Sequence, residues 1–176
     1  MRKCLLLLSP YDAPSHTCWR HQLRNQLAEF GWTELCLPPR YFSWRTRSNA
    51  MQWASTQSAC LTRDYDLVLA TSMVDLASLR GLVPKLATVP TLLYFHENQF
   101  ADPAEHQRHD NIEPKIVPLY AALCADAVVF NSVFNRDTCG GGPAAGKALA
   151  RRTARAGVYE ARRCRGATCA LSQCRQ

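Results

Sequence analysis

The stretch Cys4-Leu5-Leu6-Leu7-Leu8-Ser9, followed at once by Pro10-Tyr11-Asp12-Ala13-Pro14-Ser15-His16, decides the fold. Apolar residues that do not alternate with polar ones read as a strand covered on both faces. The proline-bearing turn after it leads into Trp19, Leu23, Leu27 and Phe30, which fall on one side at helical spacing. Ser15 is positioned to cap that helix and Gly31 to end it. A buried strand, a turn and an amphipathic helix make the first unit of an alternating α/β chain.

The same unit recurs downstream. Trp32 to Leu37 reads as a second strand, halted by Pro38-Pro39. Residues 40–49 read as a loop rich in aromatics and arginine, with a helix over about 49–61. Leu67 to Thr71 reads as a third strand, then a helix from Val74 to Leu82 that Ser72 can cap and Pro84 ends. Thr91 to Phe95 is the fourth strand. A polar segment over 97–111 follows, then a helix from about Pro114 to Cys124, the strand Ala127 to Phe130, and a last helix that Ser132 can cap. Strands separated by helices pair in parallel through right-handed crossovers. The expected fold class is therefore α/β: a doubly wound, Rossmann-like, mostly parallel sheet of about five strands. Such sheets bind ligands beyond the carboxyl ends of strands, where strand order reverses. That rule directs attention to residues 9–16, 38–45, 71–75, 96–99 and 131–135.

Composition bounds the rest. The chain has 176 residues, room for one ordinary domain, and 47% of them are hydrophobic. No run approaches the roughly 20 apolar residues that span a bilayer. Leu5 to Leu8 after Arg2 and Lys3 imitates a secretion signal, but the polar turn begins too soon for an apolar region of about 7 to 15 residues with a cleavage site. A cytoplasmic protein without a membrane segment is expected. The nine cysteines, an odd number, fit a reduced chain.

The net charge of +7 is uneven. Residues 139–176 hold eight of the 21 Lys and Arg and one acid, Glu160, whereas residues 1–138 hold 13 of each sign. Six of the eight glycines also lie beyond Thr138, where Leu149, Val158 and Leu171 are the large aliphatic residues. Such a segment cannot bury enough surface to offset chain entropy. The chain thus divides into a domain over 1–138 and an Ala/Gly/Arg/Cys-rich tail over 139–176. The tail is expected to be disordered and has the composition of a GC-rich gene read in a shifted frame. Cys164, Cys169 and Cys174 are five apart with no His nearby, unlike the tight pairs of zinc sites, so no metal is expected.

Four polar segments are candidates for chemistry. Ser15 and His16 follow the first strand, where helix N-termini often meet phosphate or sugar; Gly-x-Gly-x-x-Gly is absent, and capping is the competing role. Trp44 and Arg45, in an aromatic and arginine-rich segment, suit base stacking and phosphate contact, or ordinary packing. His96-Glu97-Asn98-Gln99 leaves the fourth strand directly; these hydrogen-bonding side chains suit hydroxyl binding with one acid/base group among them, or a satisfied turn. Asn131, Ser132 and Asn135 leave the fifth strand and can bind ligand or cap the next helix.

Taken in order, Ser9-Pro10-Tyr11 with Ser15-His16, Phe42-Ser43-Trp44-Arg45, Ala70-Thr71-Ser72-Met73-Val74-Asp75-Leu76, Tyr94-Phe95-His96-Glu97-Asn98-Gln99 and Val129-Phe130-Asn131-Ser132-Val133-Phe134-Asn135 resemble the N-terminal region of the glycosyltransferase-like family that includes tRNA-queuosine α-mannosyltransferase. The resemblance covers about residues 4–138. It implies the N-terminal half of a GT-B fold, in which two doubly wound domains face each other across the active site. It also implies mannose transfer from GDP-mannose to queuosine in tRNA with retention, and no cofactor or metal beyond the donor substrate. His96 and Glu97 then become the catalytic candidates. Ser15, His16, Trp44, Arg45, Asn98, Gln99, Asn131, Ser132 and Asn135 become the donor- and acceptor-binding candidates. Nothing after Thr138 resembles the second GT-B domain, so the resemblance implies a chain with little or no activity of its own. The alternatives are a tRNA- or nucleotide-binding module and a non-functional fragment.

Overall fold

The computed structural model describes residues 2–97, 99–100 and 112–139. Five strands, β1 (Cys4–Ser9), β2 (Gly31–Cys36), β3 (Leu67–Thr71), β4 (Thr91–Phe95) and β5 (Ala127–Phe130), form one sheet in the order β2-β1-β3-β4-β5. Every pairing is parallel. The helices are α1 (Pro14–Gln26), α2 (Phe42–Thr56), α3 (Ser58–Leu61), α4 (Leu76–Leu82), α5 (Glu113–Cys124) and α6 (Val133–Thr138). A 3-10 turn over Pro84–Thr88 joins α4 to β4. The α/β, Rossmann-like reading is thus what the chain adopts. Strand order reverses between β1 and β3, and the crevice of such folds opens there, at the carboxyl ends.

The two faces of the sheet are covered differently. Leu6, Leu8, Val68, Ala70, Leu93, Phe95 and Val128 point one way and join Trp53, Leu61, Leu76, Leu79 and Ala121 in one dry cluster. The helices α2, α4 and α5 pack on one another over this face. Residues of opposite parity, among them Leu5, Leu7, Glu34, Cys36 and Tyr94, face α1. There Arg20 binds Asp12 at 2.9 Å and also Glu34, which Arg24 reaches at 3.2 Å. At the amino ends of the strands, Asp66 accepts from the Cys4 amide at 2.7 Å and Asp126 from the Thr91 amide at 2.8 Å. These bonds hold the first residues of β1 and β4 in register.

Several boundaries differ from the sequence reading, each for a local reason. The helix α1 begins at Pro14, whose fixed φ and missing N–H suit the first helical position. The N-cap is therefore Ala13, and Ser15 lies inside the helix rather than capping it. Gly31 opens β2 instead of closing α1. Residues 42–49, read as loop, are the first half of α2. Its buried residues Thr46, Asn49, Ala50 and Trp53 have helical spacing, but two of them are polar, which hides the pattern. Asn49 is fully buried and saturated: its amide donates to Arg45, Thr46 and Met73 carbonyls at 2.7, 2.9 and 3.2 Å, and its oxygen accepts from the Asp75 amide at 3.0 Å. Asp75, not Ser72, caps α4 by accepting from the Ser78 amide. Ser132 does cap α6, accepting from the Asn135 amide at 3.1 Å.

Cys139, counted with the tail on composition, is fully buried in the core cluster. The expectation of disorder over the rest of the tail concerns residues outside the described set. Among the described residues no helix is long and apolar enough to cross a membrane.

Candidate functional site

The register of the sheet sets the site. Leu8 pairs with Ala70, so Ser9 and Thr71 stand level at the ends of β1 and β3, and Thr71 is level with Tyr94 on β4. These three side chains share the α1 face. His96, two residues beyond Tyr94, returns to that face, and its ring meets the edge of Tyr94 at 4.7 Å. From α1, His16 stacks on His96 with ring centroids 4.0 Å apart and planes 17° from parallel. Trp19, one turn along α1, stacks on Tyr94 at 4.5 Å and meets His96 edge-on at 4.5 Å. Four rings from two elements thus clamp α1 to the carboxyl end of β4.

This cluster leaves polar atoms unused. Ser9 Oγ, Thr71 Oγ1, His16 Nδ1 and His96 Nε2 are buried without a hydrogen-bond partner among the described residues. Buried polar atoms are nearly always paired, because an orphan costs about 1 to 3 kcal/mol. Three of these orphans lie at or just beyond the carboxyl ends of three adjacent strands, and the fourth, on His16 of α1, faces them; Arg45, Ser48 and Arg80, on the opposite face, also have a buried polar atom without a partner among the described residues. Burial pushes His96 down to about 3, the neighbouring His16 adds to that, and Asp12 opposes it. Burial also lowers His16 against the pull of Asp12. At neutral pH both imidazoles are uncharged, and each offers one donor and one acceptor nitrogen. Two such rings and two hydroxyls suit a ligand with several adjacent hydroxyl groups. With burial lowering it to about 3, His96 carries no second ring proton at neutral pH, which favours a hydrogen-bonding duty over that of a general acid.

The turn between β1 and α1 is fixed against β2. The Leu37 amide donates to the Ser9 carbonyl and the Asp12 amide to the Leu37 carbonyl, each at 2.9 Å. Asp12 also accepts from Thr17 Oγ1 at 2.9 Å and from Arg20. Arg20, one turn beyond His16 on α1, thus ties the helix that carries His16 to Asp12 and Glu34.

The remaining candidates separate by role. Asn131 donates to the His96 carbonyl, and Asn135 donates to the Phe95 carbonyl at 3.2 Å and to Asn131 Oδ1 at 2.8 Å. Ser132 donates to Asn131 Oδ1 at 3.1 Å. This corner after β5 therefore holds the end of β4 in place and positions His96. Glu97 is exposed beside His96, and its carbonyl lies 3.5 Å from Ser72 Oγ. Gln99 is buried, and Asn98 lies outside the described residues. Ser15 is exposed on α1. Trp44 is 65% exposed on α2, whereas its neighbour Arg45 is buried and donates to Gln52. Sequence reasoning missed Ser9, Thr71, Trp19 and Tyr94 as site residues. Ser9 and Thr71 lay within the windows drawn from the fold rule; their signal is that each is the polar last residue of an otherwise apolar strand. Among the described residues no group of three or more His, Cys, Asp and Glu gathers as metal ligands would.

Comparison with known proteins agrees with the motif resemblance. The family model for the tRNA-queuosine alpha-mannosyltransferase N-terminal region matches residues 4–145, running on past Thr138. The tRNA-queuosine alpha-mannosyltransferase of Drosophila melanogaster is 33% identical over 137 residues, which cover 74% of this chain and 34% of that protein. The chain therefore spans about a third of the length of this curated relative. No solved structure matches. The chain belongs to the tRNA-queuosine alpha-mannosyltransferase N-terminal family.

Proposed function

We propose that this domain is one wall of a GT-B mannosyltransferase crevice, in which Ser9, His16, Thr71 and His96 bind sugar hydroxyls of GDP-mannose during transfer to queuosine in tRNA. One observation carries the reading: the four orphaned, neutral polar atoms at the point where strand order reverses. Sugars carry dense hydroxyls that both donate and accept, and neutral imidazole and hydroxyl groups answer both needs without charge. Hydrogen bonds that tighten as the sugar approaches its transition state would then lower the barrier. His96 contacts the donor, and Asn131 and Asn135 keep it in position. Metal ions have no part in the reading. The diphosphate-binding groups belong to a second domain, and the 176-residue chain alone has little or no transfer activity. A cytoplasmic setting follows from a tRNA substrate.

The test is mannose transfer from GDP-mannose to queuosine-containing tRNA by a longer enzyme in which this domain, altered, is joined to the remainder of the Drosophila melanogaster relative. His96→Ala and Thr71→Val are each expected to lower kcat/KM by about 10-fold, the worth of a hydrogen bond made at the reacting sugar. Turnover equal to the parent in both variants removes the crevice from the mechanism. Measurable transfer by the purified 176-residue chain refutes the need for a second wall.

A further inference from the structure

We propose that Tyr41 and Trp44, with Arg40 beside them, form a stacking platform for unpaired bases of an RNA loop. The proposal rests on the tRNA reading above and names the surface that meets the acceptor. Tyr41 and Trp44 stand three residues apart at the N-terminal end of α2, 73% and 65% exposed. Large aromatics held in water at one helix end have no role in packing this domain. Tyr41 has φ 56° and ψ 55°, a left-handed conformation that a side chain disfavours and that no other non-glycine residue among those described adopts. The strain is held in place next door: Phe42 packs edge-on against Tyr11 with centroids 5.3 Å apart, and its carbonyl accepts from Thr46 Oγ1 at 3.0 Å. Backbone strain of this kind collects at functional surfaces.

Charge narrows the occupant. From Leu35 to Arg63 the sequence has four arginines and no acid. Arg45 is engaged with Gln52, and Arg47 with Asp75 and Glu113. The Arg40 guanidinium lies 6.0 Å from the centroid of the Tyr41 ring. The first turn of α2 has no acid to offset the positive end of the helix dipole. Aromatic faces beside a cation, in a segment without acids whose nearby Glu113 and Asp75 are paired with Arg47, match a polyanion that also offers flat π faces, which is single-stranded nucleic acid. The Tyr11–Phe42 contact and the bonds from Leu37 to Ser9 and from Asp12 to Leu37 seat this platform against the rim that carries His16. A base stacked there lies next to the sugar crevice. Sequence reasoning chose Trp44 and Arg45 for this duty; the burial of Arg45 transfers the cationic part to Arg40.

The experiment is fluorescence anisotropy of the full chain with two labelled probes, an RNA hairpin with an unpaired loop and a fully paired RNA duplex, over a range of salt. The double variant Tyr41→Ala/Trp44→Ala is expected to bind the hairpin at least about 30-fold more weakly, since two stacked bases are lost, and the duplex as the parent does. Tyr41→Phe/Trp44→Phe keeps hairpin binding, and Arg40→Ala lowers the salt slope by about 0.7. Far-UV circular dichroism verifies that each variant keeps its helices. Hairpin affinity equal to the parent in the alanine pair overturns the proposal. So does an equal loss on hairpin and duplex, and so does binding that vanishes when residues 140–176 are removed. Stacking on Tyr41 and Trp44 without mannose transfer by the longer enzyme sinks the sugar reading alone. Transfer with an unchanged KM for tRNA in the alanine pair sinks the platform alone.

Discussion

The two faces of the sheet are built from similar strands and put to different ends. Under α2, α4 and α5, side chains such as Leu8, Ala70, Leu93 and Phe95 are wholly buried, and Trp53 fills the space above them. Under α1, the same strands end in Ser9, Thr71 and Tyr94, and the covering helix brings His16, Trp19, Arg20 and Arg24. One face is dominated by apolar side chains, with partnerless polar atoms among the described residues confined to the covering helices at Arg45, Ser48 and Arg80, whereas on the other the strand ends themselves carry partnerless hydroxyls. The contrast teaches that a strand apolar on both sides does not imply two equal cores. The side whose last residues turn polar is the side on which we place the sugar-binding groups.

Substitutions can break this contrast. Trp53→Ala, on the dry face, is expected to cost about 4 kcal/mol, from lost burial and the cavity left behind, measured by urea unfolding. A loss under about 1 kcal/mol would mean that the face is loosely packed. On the α1 face, Arg20→Ala should cost about 2 kcal/mol, because Asp12 and Glu34, each with 15% or less of its side chain exposed, lose their shared partner. The same variant should loosen His16 from His96, visible as changed imidazole resonances by NMR. Thr71→Val should go the other way and stabilise the fold by about 1 kcal/mol, since it removes an orphaned hydroxyl at nearly constant shape. A destabilised Thr71→Val would show that the hydroxyl is satisfied in solution.

Acid sharpens the same comparison. His96 titrates near 3 in the fold, against 6.5 when solvated. Between those values the unfolded chain binds the extra proton and the folded chain does not. Stability from this residue is therefore complete above about pH 6.5 and declines as pH falls toward 3. His16, also lowered by burial, acts in the same direction. His96→Gln should flatten the fall in thermal midpoint between pH 6.5 and pH 4, and an unchanged slope would mean that His96 is solvated.

Much of the fold was legible because it is written in periodicity. Uninterrupted apolar runs marked β1, β3, β4 and β5 to within a residue, and Ser132 announced α6. The start of α2 was not legible, because its buried face contains Thr46, Ser48 and Asn49, whose bonds exist only once Met73 and Asp75 are brought alongside. Of the site, His16 and His96 could be named from their positions after β1 and β4. Their stacking could not, since it depends on how α1 lies across β4. Asn131 and Asn135 were legible as ligand-binding or capping groups, and their bonds to the carbonyls of His96 and Phe95, which only the fold reveals, brace the His96 segment as well. Ser9 and Thr71 stayed hidden because a hydroxyl at a strand end is ordinary until its missing partner is noticed.

The edge-on contact of Trp19 with His96 has an optical consequence. Indole emission responds to a nearby imidazole, above all when that ring takes up a proton or shifts. Trp19 is therefore a native gauge of the protonation and position of His96, and replacing Trp32, Trp44 and Trp53 with phenylalanine would let its signal be read alone.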